Sequence, residues 1–263
     1  MARDDDDLIR QAESARATPE VAARILPLVD LTSLKGGETE AEIEALADRG
    51  MQQGVAAICV FPDAVPTARR RLGTDPVQLA SVVNFPDGSD DISRTVDETR
   101  RILADGADEI DMVAPLEAIM EGDVGLVTEM VEAVKTAADG RRIKVILETG
   151  RLQDPARITA AARAAVMAGA DMLKTSTGKT PTGATFEAAA VLLAVIEEAD
   201  GKVGLKLSGG IRSADQAAGY LHLIDHFMGS GWVSPRTVRF GASSLLDDLE
   251  RILQQPQRDD EDG

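Results

Sequence analysis

Short apolar runs alternate along this chain with longer segments whose apolar residues recur at helical spacing. The short runs are rich in β-branched residues and close with Gly, Pro, Asn or Ser, as strands do. They predict strands at 28–31, 55–60, 78–83, 109–113, 143–148, 170–174, 203–207 and 237–240. The longer segments fit the 3.6-residue period and predict helices at 39–52, 89–105, 123–138, 154–168, 185–199, 213–227 and 243–254. The helical pattern at 62–72 is weaker, because Pro62 and Pro66 interrupt it.

A further helix is predicted at 18–26, where Thr18 is a good N-cap and Pro19 suits the first helical position. Eight strands, each followed by a helix, favour a single-domain α/β fold, the (β/α)8 or TIM barrel, with an extra N-terminal helix. The rival is a doubly wound open sheet, which normally carries GxGxxG after its first strand. Here the first strand continues as DLTSLKGG, which lacks that spacing.

No shift in composition marks a boundary inside the chain. We therefore assign residues 18–255 to one barrel and catalytic domain, 1–17 to an N-terminal acidic segment, and 256–263 to a disordered acidic tail. The aspartate run within residues 1–7 predicts that the beginning of the chain is frayed as well.

Composition narrows the classes of function. Of 263 residues, 44% are hydrophobic and 28% charged, the profile of an ordinary globular protein. The net charge of −17 argues against a nucleic-acid partner, because binding phosphates along a strand requires clustered Lys and Arg. The chain has neither an apolar run long enough to span a bilayer nor a basic start followed by an apolar stretch. We expect a cytoplasmic protein without a membrane partner.

The cysteine and histidine content gives no metal site. Cys59 is the only cysteine, which excludes a disulfide within the chain and a cysteine metal cluster, and its apolar run AAICVF predicts a buried thiol. The two histidines, His222 and His226, lie on the predicted helix 213–227 without acidic partners at ligand spacing, so they are interpreted as packing or surface residues.

Lysine is scarce, with seven residues against 21 arginines, yet two lysines end neighbouring predicted strands: Lys174 in DMLKTSTGK and Lys206 in VGLKLSGG. Parallel barrel strands have no exposed edge, and adjacent strands lie about 4.8 Å apart. A second cation and partial burial lower the pKa of an amine toward about 7 to 8, which makes it nucleophilic at neutral pH. The pair is therefore predicted to be a nucleophile and its electrostatic partner, in one order or the other. Asp111, embedded in DEIDMV, is predicted to face the interior of the barrel, as the two lysines do.

Two glycine turns predict a phosphate site. SGGIR follows the seventh strand and FGASS follows the eighth, and each opens into a predicted helix. Such turns present backbone N–H groups to an anion, and the loops after strands seven and eight commonly hold phosphate in this fold. Ser243 and Ser244 would add hydroxyl donors, and Lys179 and Arg212 would add charge.

Taken together, the motifs resemble the deoxyribose-phosphate aldolase family. LVDLTSL, AAICVFP, VVNFPDG, GADEIDMV, KVILETG, GADMLKTSTGK, KLSGGIR and RFGASSLL occur in the family's order over residues 20–254. The resemblance implies a class I aldolase that needs no cofactor and reversibly cleaves 2-deoxy-D-ribose 5-phosphate to D-glyceraldehyde 3-phosphate and acetaldehyde, in deoxyribonucleotide catabolism.

The resemblance also implies residue roles. Lys174 would form the Schiff base, Lys206 would lower its pKa, Asp111 would transfer protons, and Asp30 would support Lys206. The phosphate end would be lined by Gly178, Lys179, Gly209, Gly210, Arg212, Gly241, Ser243 and Ser244. Two alternatives stay open from the residues alone: another class I aldolase acting on a phosphorylated sugar, and a non-catalytic phosphosugar-binding barrel.

The chain departs from the family pattern in two places. Leu207 and Ser208 stand where some members have Pro and Ala, which affects loop stiffness. Some members also carry a tyrosine for proton transfer on a C-terminal tail, whereas Tyr220 is the only tyrosine here and the tail reads QQPQRDDEDG. The expected partners are a small phosphorylated sugar and acetaldehyde, and the expected assembly is a homodimer.

Overall fold

The protein is a closed barrel of eight parallel strands in chain order, with the last strand paired to the first. The computed structural model describes residues 3–254, with side chains from residue 6 onward. The strands are β1 Val29–Ser33, β2 Ala57–Val60, β3 Gln78–Val83, β4 Glu109–Val113, β5 Arg142–Ile146, β6 Met172–Lys174, β7 Gly204–Ser208 and β8 Val238–Ala242. The prediction of a single (β/α)8 barrel is confirmed, and the open sheet is excluded.

Helices surround the barrel and cover its outer face. They are α1 Arg3–Ser14, α2 Pro19–Ile25, α3 Glu40–Gln53, α4 Val65–Leu72, α5 Ile92–Ala104, α6 Leu116–Glu121, α7 Val124–Ala138, α8 Thr149–Leu152, α9 Pro155–Met167, α10 Phe186–Glu198, α11 Ala214–Met228 and α12 Leu245–Leu253. The predicted N-terminal helix is α2, with the Thr18 side chain accepting the N–H of Val21 and Pro19 at its first position. The weak segment 62–72 is split into a 3₁₀ turn, Pro62–Ala64, and α4.

Alternation along the strands divides apolar from polar side chains. Ile110, Leu173 and Leu205 belong to the main hydrophobic core, which lies between strands and helices. Their neighbours in sequence point the other way, because successive strand residues face opposite sides of a sheet. Charged residues placed next to these apolar positions therefore face the inside of the barrel.

The prediction that residues 1–7 are frayed is wrong for residues 3–7, which form the first turns of α1. Leu8, Ile9 and Ala12 are buried along one side of this helix, and Leu8 and Ala12 belong to the main core. Aspartates in a first helical turn are stabilised by the helix dipole, so the acidic run favours this helix instead of opposing it. The predicted disordered tail, 256–263, lies outside the described residues.

Two short helices, α6 and α8, were not predicted, and several strand boundaries differ from the prediction by one or two residues. Both helices occupy loops that follow strands, where they are too short to show a helical period in the sequence. Among the described residues, no helix is long and apolar enough to cross a membrane.

Candidate active site

The residues predicted to carry the chemistry meet inside the barrel. Lys174 and Lys206 are register partners on β6 and β7. Both are buried, as are Asp111 on β4 and Asp30 on β1. The apolar residues next to the lysines, Leu173 and Leu205, belong to the outer core. The alternation of each strand therefore turns the lysines inward.

Asp111 binds the side-chain nitrogens of three lysines. Its Oδ2 accepts hydrogen bonds from the Nζ of Lys174 at 2.7 Å and the Nζ of Lys206 at 2.7 Å. Its Oδ1 accepts one from the Nζ of Lys144, also at 2.7 Å. The two catalytic candidates are thus joined through one carboxylate oxygen, which holds their Nζ atoms close together.

The ion pairs continue below Asp111 along the barrel interior. Asp30 accepts from the Nζ of Lys206 at 2.5 Å and from the guanidinium of Arg239 at 2.7 Å. Glu109 binds Arg239 at 2.8 Å and Lys144 at 2.8 Å. We call Asp30, Glu109, Asp111, Lys144, Lys174, Lys206 and Arg239 the axial network; each is 3% exposed or less.

The two predicted lysines differ in their pKa. Burial lowers the pKa of Lys174, and the nearby charge of Lys206 lowers it further; the attraction of Asp111 only partly opposes these effects. Burial also lowers the pKa of Lys206, but attraction to Asp111 and Asp30 outweighs it, so its pKa is raised. The difference follows from the number of carboxylates, because Lys206 binds two and Lys174 binds one.

The charge balance of the axial network leads to the same assignment. It contains four basic side chains and three carboxylates. The pKa of Asp111 is well below its ordinary value, although burial raises it, because Lys144, Lys174 and Lys206 attract the charged form. With all three carboxylates ionised, protonated Lys174 would leave one positive charge uncompensated in the barrel. A buried net charge is unfavourable, so the neutral amine is the form that balances the network.

Three members of the axial network were missed by the sequence analysis: Lys144, Glu109 and Arg239. Each stands in an apolar strand, in IKVILE, DEIDMV and TVRF, so the signal that identified Lys174 was present. They lie at the beginning or in the middle of their strands. A search confined to the C-terminal ends of strands does not reach them.

A cavity of about 280 Å³ opens above Lys174 at the C-terminal ends of the strands. We call it the catalytic mouth. All eight residues predicted to line the phosphate end line it: Gly178, Lys179, Gly209, Gly210, Arg212, Gly241, Ser243 and Ser244. The structure therefore brings both predicted sets together, with the amine at the floor and the glycine turns on the wall.

Three cationic side chains that line the catalytic mouth have no carboxylate partner among the described residues. Lys179 donates to the backbone carbonyl of Leu34 and lies 5.7 Å from the centre of the Phe61 ring. Arg212 and Lys35 are exposed and form no ion pair with any described residue. In a chain of net charge −17, such unpaired cations mark a site for an anion.

Lys35 was not among the predicted site residues. Its position is fixed by Glu38, whose carboxylate accepts the N–H of Lys35 at 2.9 Å, the N–H of Gly36 at 3.0 Å and the hydroxyl of Ser33 at 2.7 Å. Both glycines that follow Lys35 have positive φ, 89° and 80°. The loop after β1 is thus a closed turn that holds Lys35 at the rim.

Glu148 shapes the loop that follows Lys174. Its buried carboxylate accepts the hydroxyl of Thr177, the N–H of Thr177 at 3.3 Å and the hydroxyl of Thr180 at 3.2 Å. On the other side the loop approaches the SGG turn too closely for a side chain at Gly183, since a Cβ there would lie 2.1 Å from the carbonyl oxygen of Gly209. These contacts seat the threonine-rich loop against the SGG turn.

The remaining predicted residues lie elsewhere. Cys59 is buried on β2, and burial raises the pKa of its thiol, as expected for a packing residue. His222 and His226 are both exposed on α11, in agreement with their interpretation as packing or surface residues. Tyr220 is buried on the same helix against Phe186, with ring centres 4.4 Å apart, and does not line the catalytic mouth.

Comparison with known proteins identifies the family. The family model for DeoC/LacD family aldolases matches residues 24–249, most of the chain. Among solved structures, a candidate deoxyribose-phosphate aldolase from Coccidioides immitis is 29% identical with a TM-score of 0.79, covering 94% of this chain and 96% of its own.

A deoxyribose phosphate aldolase from Aeropyrum pernix, described as a unique tetramer, is 26% identical with a TM-score of 0.74, covering 94% of this chain and 97% of its own. A candidate deoxyribose-phosphate aldolase from Toxoplasma gondii shares the fold, with a TM-score of 0.83 at 24% identity over 90% of this chain and 95% of its own. The chain belongs to the DeoC/LacD family of aldolases, and it is an aldolase, a carbon–carbon lyase.

Proposed function

We propose that the protein is a class I deoxyribose-phosphate aldolase, which reversibly cleaves 2-deoxy-D-ribose 5-phosphate to D-glyceraldehyde 3-phosphate and acetaldehyde. One observation carries the proposal: Lys174, whose pKa is lowered, lines the same cavity as the glycine turns and unpaired cations. A neutral amine can attack an aldehyde, and the glycine turns and cations beside it can bind a phosphate at the other end of the same molecule. The likeness to the relatives from Coccidioides immitis and Aeropyrum pernix supports this substrate.

The reaction begins at Lys174. Its neutral amine attacks the C1 aldehyde of the open-chain sugar, and loss of water from the adduct gives an iminium ion. Acetaldehyde has two carbons and glyceraldehyde phosphate three, so the bond that breaks joins C2 and C3. The electron pair of that bond flows toward the iminium nitrogen and leaves an enamine, while the C3 hydroxyl loses its proton and becomes the new aldehyde.

Asp111 serves the proton transfers, and Lys206 maintains the charge balance around it. Schiff-base formation replaces the N–H groups of the neutral Lys174 amine by a double bond to C1 and a single remaining N–H, so Asp111 loses a hydrogen-bond donor and one of its oxygens can accept a hydrogen bond from a water molecule. That water accepts the C3 hydroxyl proton and later delivers a proton to the enamine carbon. Hydrolysis of the resulting iminium releases acetaldehyde and regenerates Lys174. Lys206 and Asp30 stay ionised during these steps and keep the net charge around Lys174 constant. Asp30 acts by holding Lys206 in place.

Chemical trapping tests the proposal directly. Folded protein is mixed with acetaldehyde and borohydride, and its peptides are mapped by mass spectrometry; we expect a stable ethyl adduct on Lys174. Lys174→Met should lose the adduct and the activity, and it should still fold, because it leaves the axial network balanced. Lys202→Met, at an exposed lysine that pairs only with Asp200, serves as the matched control. An adduct on another lysine of the folded protein would overturn the assignment.

Substrate comparison separates the proposed reaction from its alternatives. Cleavage of 2-deoxyribose 5-phosphate should exceed cleavage of ketose phosphates and keto-deoxy sugar phosphates; the reverse order would favour another class I aldolase. A protein that binds sugar phosphates without trapping acetaldehyde would be the non-catalytic barrel. The reaction as written needs no metal or organic cofactor, so EDTA should leave the rate unchanged.

We place this activity in deoxyribonucleotide catabolism, because its substrate is the phosphate of deoxyribose. We place the protein in the cytoplasm. Fractionation of the cell of origin with an antibody to the chain tests the location; recovery in a membrane or secreted fraction would contradict it.

A further inference from the structure

A second, larger cavity of about 650 Å³ lies at the opposite end of the barrel, where the strands begin. Its wall includes the residues just before or at the start of β3, β4, β5 and β8, among them Gln78, Glu109, Arg142 and Arg236. We call it the N-terminal mouth. Nothing in the proposed reaction uses it, because the amine of Lys174 opens to the catalytic mouth.

Arg236 distinguishes this cavity from an ordinary surface depression. Among the Arg and Lys side chains that the structure describes, those without a carboxylate partner are Lys35, Lys179 and Arg212 at the catalytic mouth, and Arg236 at the N-terminal mouth. The other described arginines, even highly exposed ones such as Arg100 on α5, form ion pairs. The unpaired cations of this acidic protein thus occur at two cavities.

Two of the three carboxylates that line the N-terminal mouth are already engaged in ion pairs. Glu109 binds Arg142 at 2.7 Å in addition to Lys144 and Arg239 of the axial network. Asp108 binds Arg69 and the N–H of Leu79. The third carboxylate, Asp75, accepts the N–H of Val77 at 3.0 Å and forms no ion pair with a described residue.

The arginines that line the N-terminal mouth keep N–H donors that bind no described acceptor. Arg142 is 25% exposed in its side chain and donates through one nitrogen, Nη1, to Glu109. Its other guanidinium N–H groups bind no described acceptor, and the residue lines the cavity. Arg141 is held only loosely, 3.5 Å from Asp108. Arg142 and Arg236 therefore offer fork-shaped N–H donors, the geometry that binds phosphate and other planar or tetrahedral oxyanions.

We propose that the N-terminal mouth binds a small phosphate-bearing molecule through Arg142 and Arg236, at a site separate from the catalytic mouth. A cavity of this size accommodates a metabolite-sized ligand. The anion would lie next to Glu109, one end of the axial network whose other end is Lys174. The site does not depend on the proposed reaction, since the two cavities share no lining residue.

Calorimetric titration with inorganic phosphate at constant ionic strength tests the proposal in the full chain. We expect two binding events in the wild-type protein. Arg236→Ala should weaken one of them at least about tenfold, and Arg236→Glu should abolish it; Arg212→Ala should weaken only the other. Arg100→Ala and Arg100→Glu change the net charge equally at a distant surface and should leave both events unchanged.

Three results would overturn the proposal. They are a single binding event that Arg212→Ala removes, an unchanged titration for Arg236→Glu, and equal weakening by Arg236→Ala and Arg100→Ala. Folding failure is not expected, because the Arg236 side chain is exposed and has no described ion-pair partner; circular dichroism checks it. Acetaldehyde trapping on Lys174 should persist in Arg236→Ala, which separates failure of this site from failure of the proposed function.

Discussion

At the scale of the residue, two lysines in equivalent positions of adjacent strands have pKa values that are shifted in opposite directions. Lys174 binds one carboxylate and its pKa is lowered, whereas Lys206 binds two and its pKa is raised. Neither the residue type nor the strand position distinguishes them. The difference arises from Asp30, which reaches Lys206 from β1 and does not pair with Lys174.

Replacing Lys206 with methionine should shift the activity profile. The charge of Lys206 lowers the pKa of Lys174, so its removal raises that pKa, and the acid limb of kcat/KM moves to higher pH. Stability should fall by about 3–5 kcal/mol, since Asp30 and Asp111 each lose a buried partner. The pH profile and urea unfolding measure the two effects, with Lys202→Met as the control. If the acid limb of the variant lies at the same pH as in the wild type, the role given to Lys206 is contradicted.

Replacing Lys35 with alanine should weaken recognition of the phosphate. Lys35 stands at the rim with no described ion-pair partner, and loss of one charged contact of about 1.4 kcal/mol corresponds to about a tenfold rise in KM. kcat should change little, and the KM for unphosphorylated 2-deoxyribose should stay constant. Lys202→Ala, at an exposed lysine paired with Asp200, is the control. Equal effects on both sugars would show that Lys35 does not bind the phosphate.

At the scale of the element, α1 is held by close contact with α11. Gly219 lies inside α11, and a Cβ there would approach the carbonyl oxygen of Ala12 to 2.3 Å and the Phe186 ring to 2.8 Å. Leu8 and Ala12 bury their side chains in the main core. The docking of α1 therefore depends on the absence of a side chain at one position of α11.

The sign of the stability change in Gly219→Ala tests this docking. Helix propensity alone would stabilise the variant by up to about 1 kcal/mol. The clash with α1 should instead destabilise it by about 1–3 kcal/mol, and hydrogen exchange of the α1 amides should accelerate. Gly231→Ala is the matched control, because no atom lies within 4 Å of a Cβ at that position. A stabilised Gly219→Ala would show that α1 is not packed there.

At the scale of the whole molecule, the axial network connects strands from all parts of the chain. Asp30 and Lys206 are 176 residues apart, and Arg239 and Glu109 are 130 apart. A buried network of this kind stabilises the barrel only while its carboxylates stay ionised, because each lost charge leaves a lysine or arginine without compensation.

The network predicts a specific acid sensitivity. The pKa of Asp111 in the folded protein lies below its ordinary value of 3.8, so its stabilisation is complete above about pH 4 and is lost as the pH falls through the folded pKa. Asp111→Asn should cost about 3–5 kcal/mol at pH 7 and show a shallower loss of stability in acid. Asp48→Asn, at an exposed carboxylate paired with Arg71, should change stability by less than about 1 kcal/mol. Urea unfolding from pH 7 to 3 measures this, and parallel curves for Asp111→Asn and wild type would contradict it.

The assembly expected from the sequence, a homodimer, stays a prediction. The Aeropyrum pernix relative is described as a tetramer, so light scattering after size-exclusion chromatography has two assemblies to distinguish from a monomer.

The sequence by itself determined the barrel and the location of its chemistry. Strand and helix periods are local properties, and a parallel barrel places the C-terminal ends of all strands on one face. Local patterns were therefore sufficient to bring Lys174, Lys206 and the glycine turns together at one mouth. Asp111 could be placed on the same grounds, because it interrupts an apolar strand, whereas Asp30 was identified only through the resemblance to the aldolase family.

Only the tertiary structure decided which of the two lysines has the lowered pKa, that Lys144, Glu109 and Arg239 join the network, and that α1 is a packed helix. A pKa depends on the burial of a group and on charges from strands far away in sequence, and neither is encoded in a local pattern. A short acidic helix likewise acquires its stability from a surface on α11 that exists only after the barrel has folded.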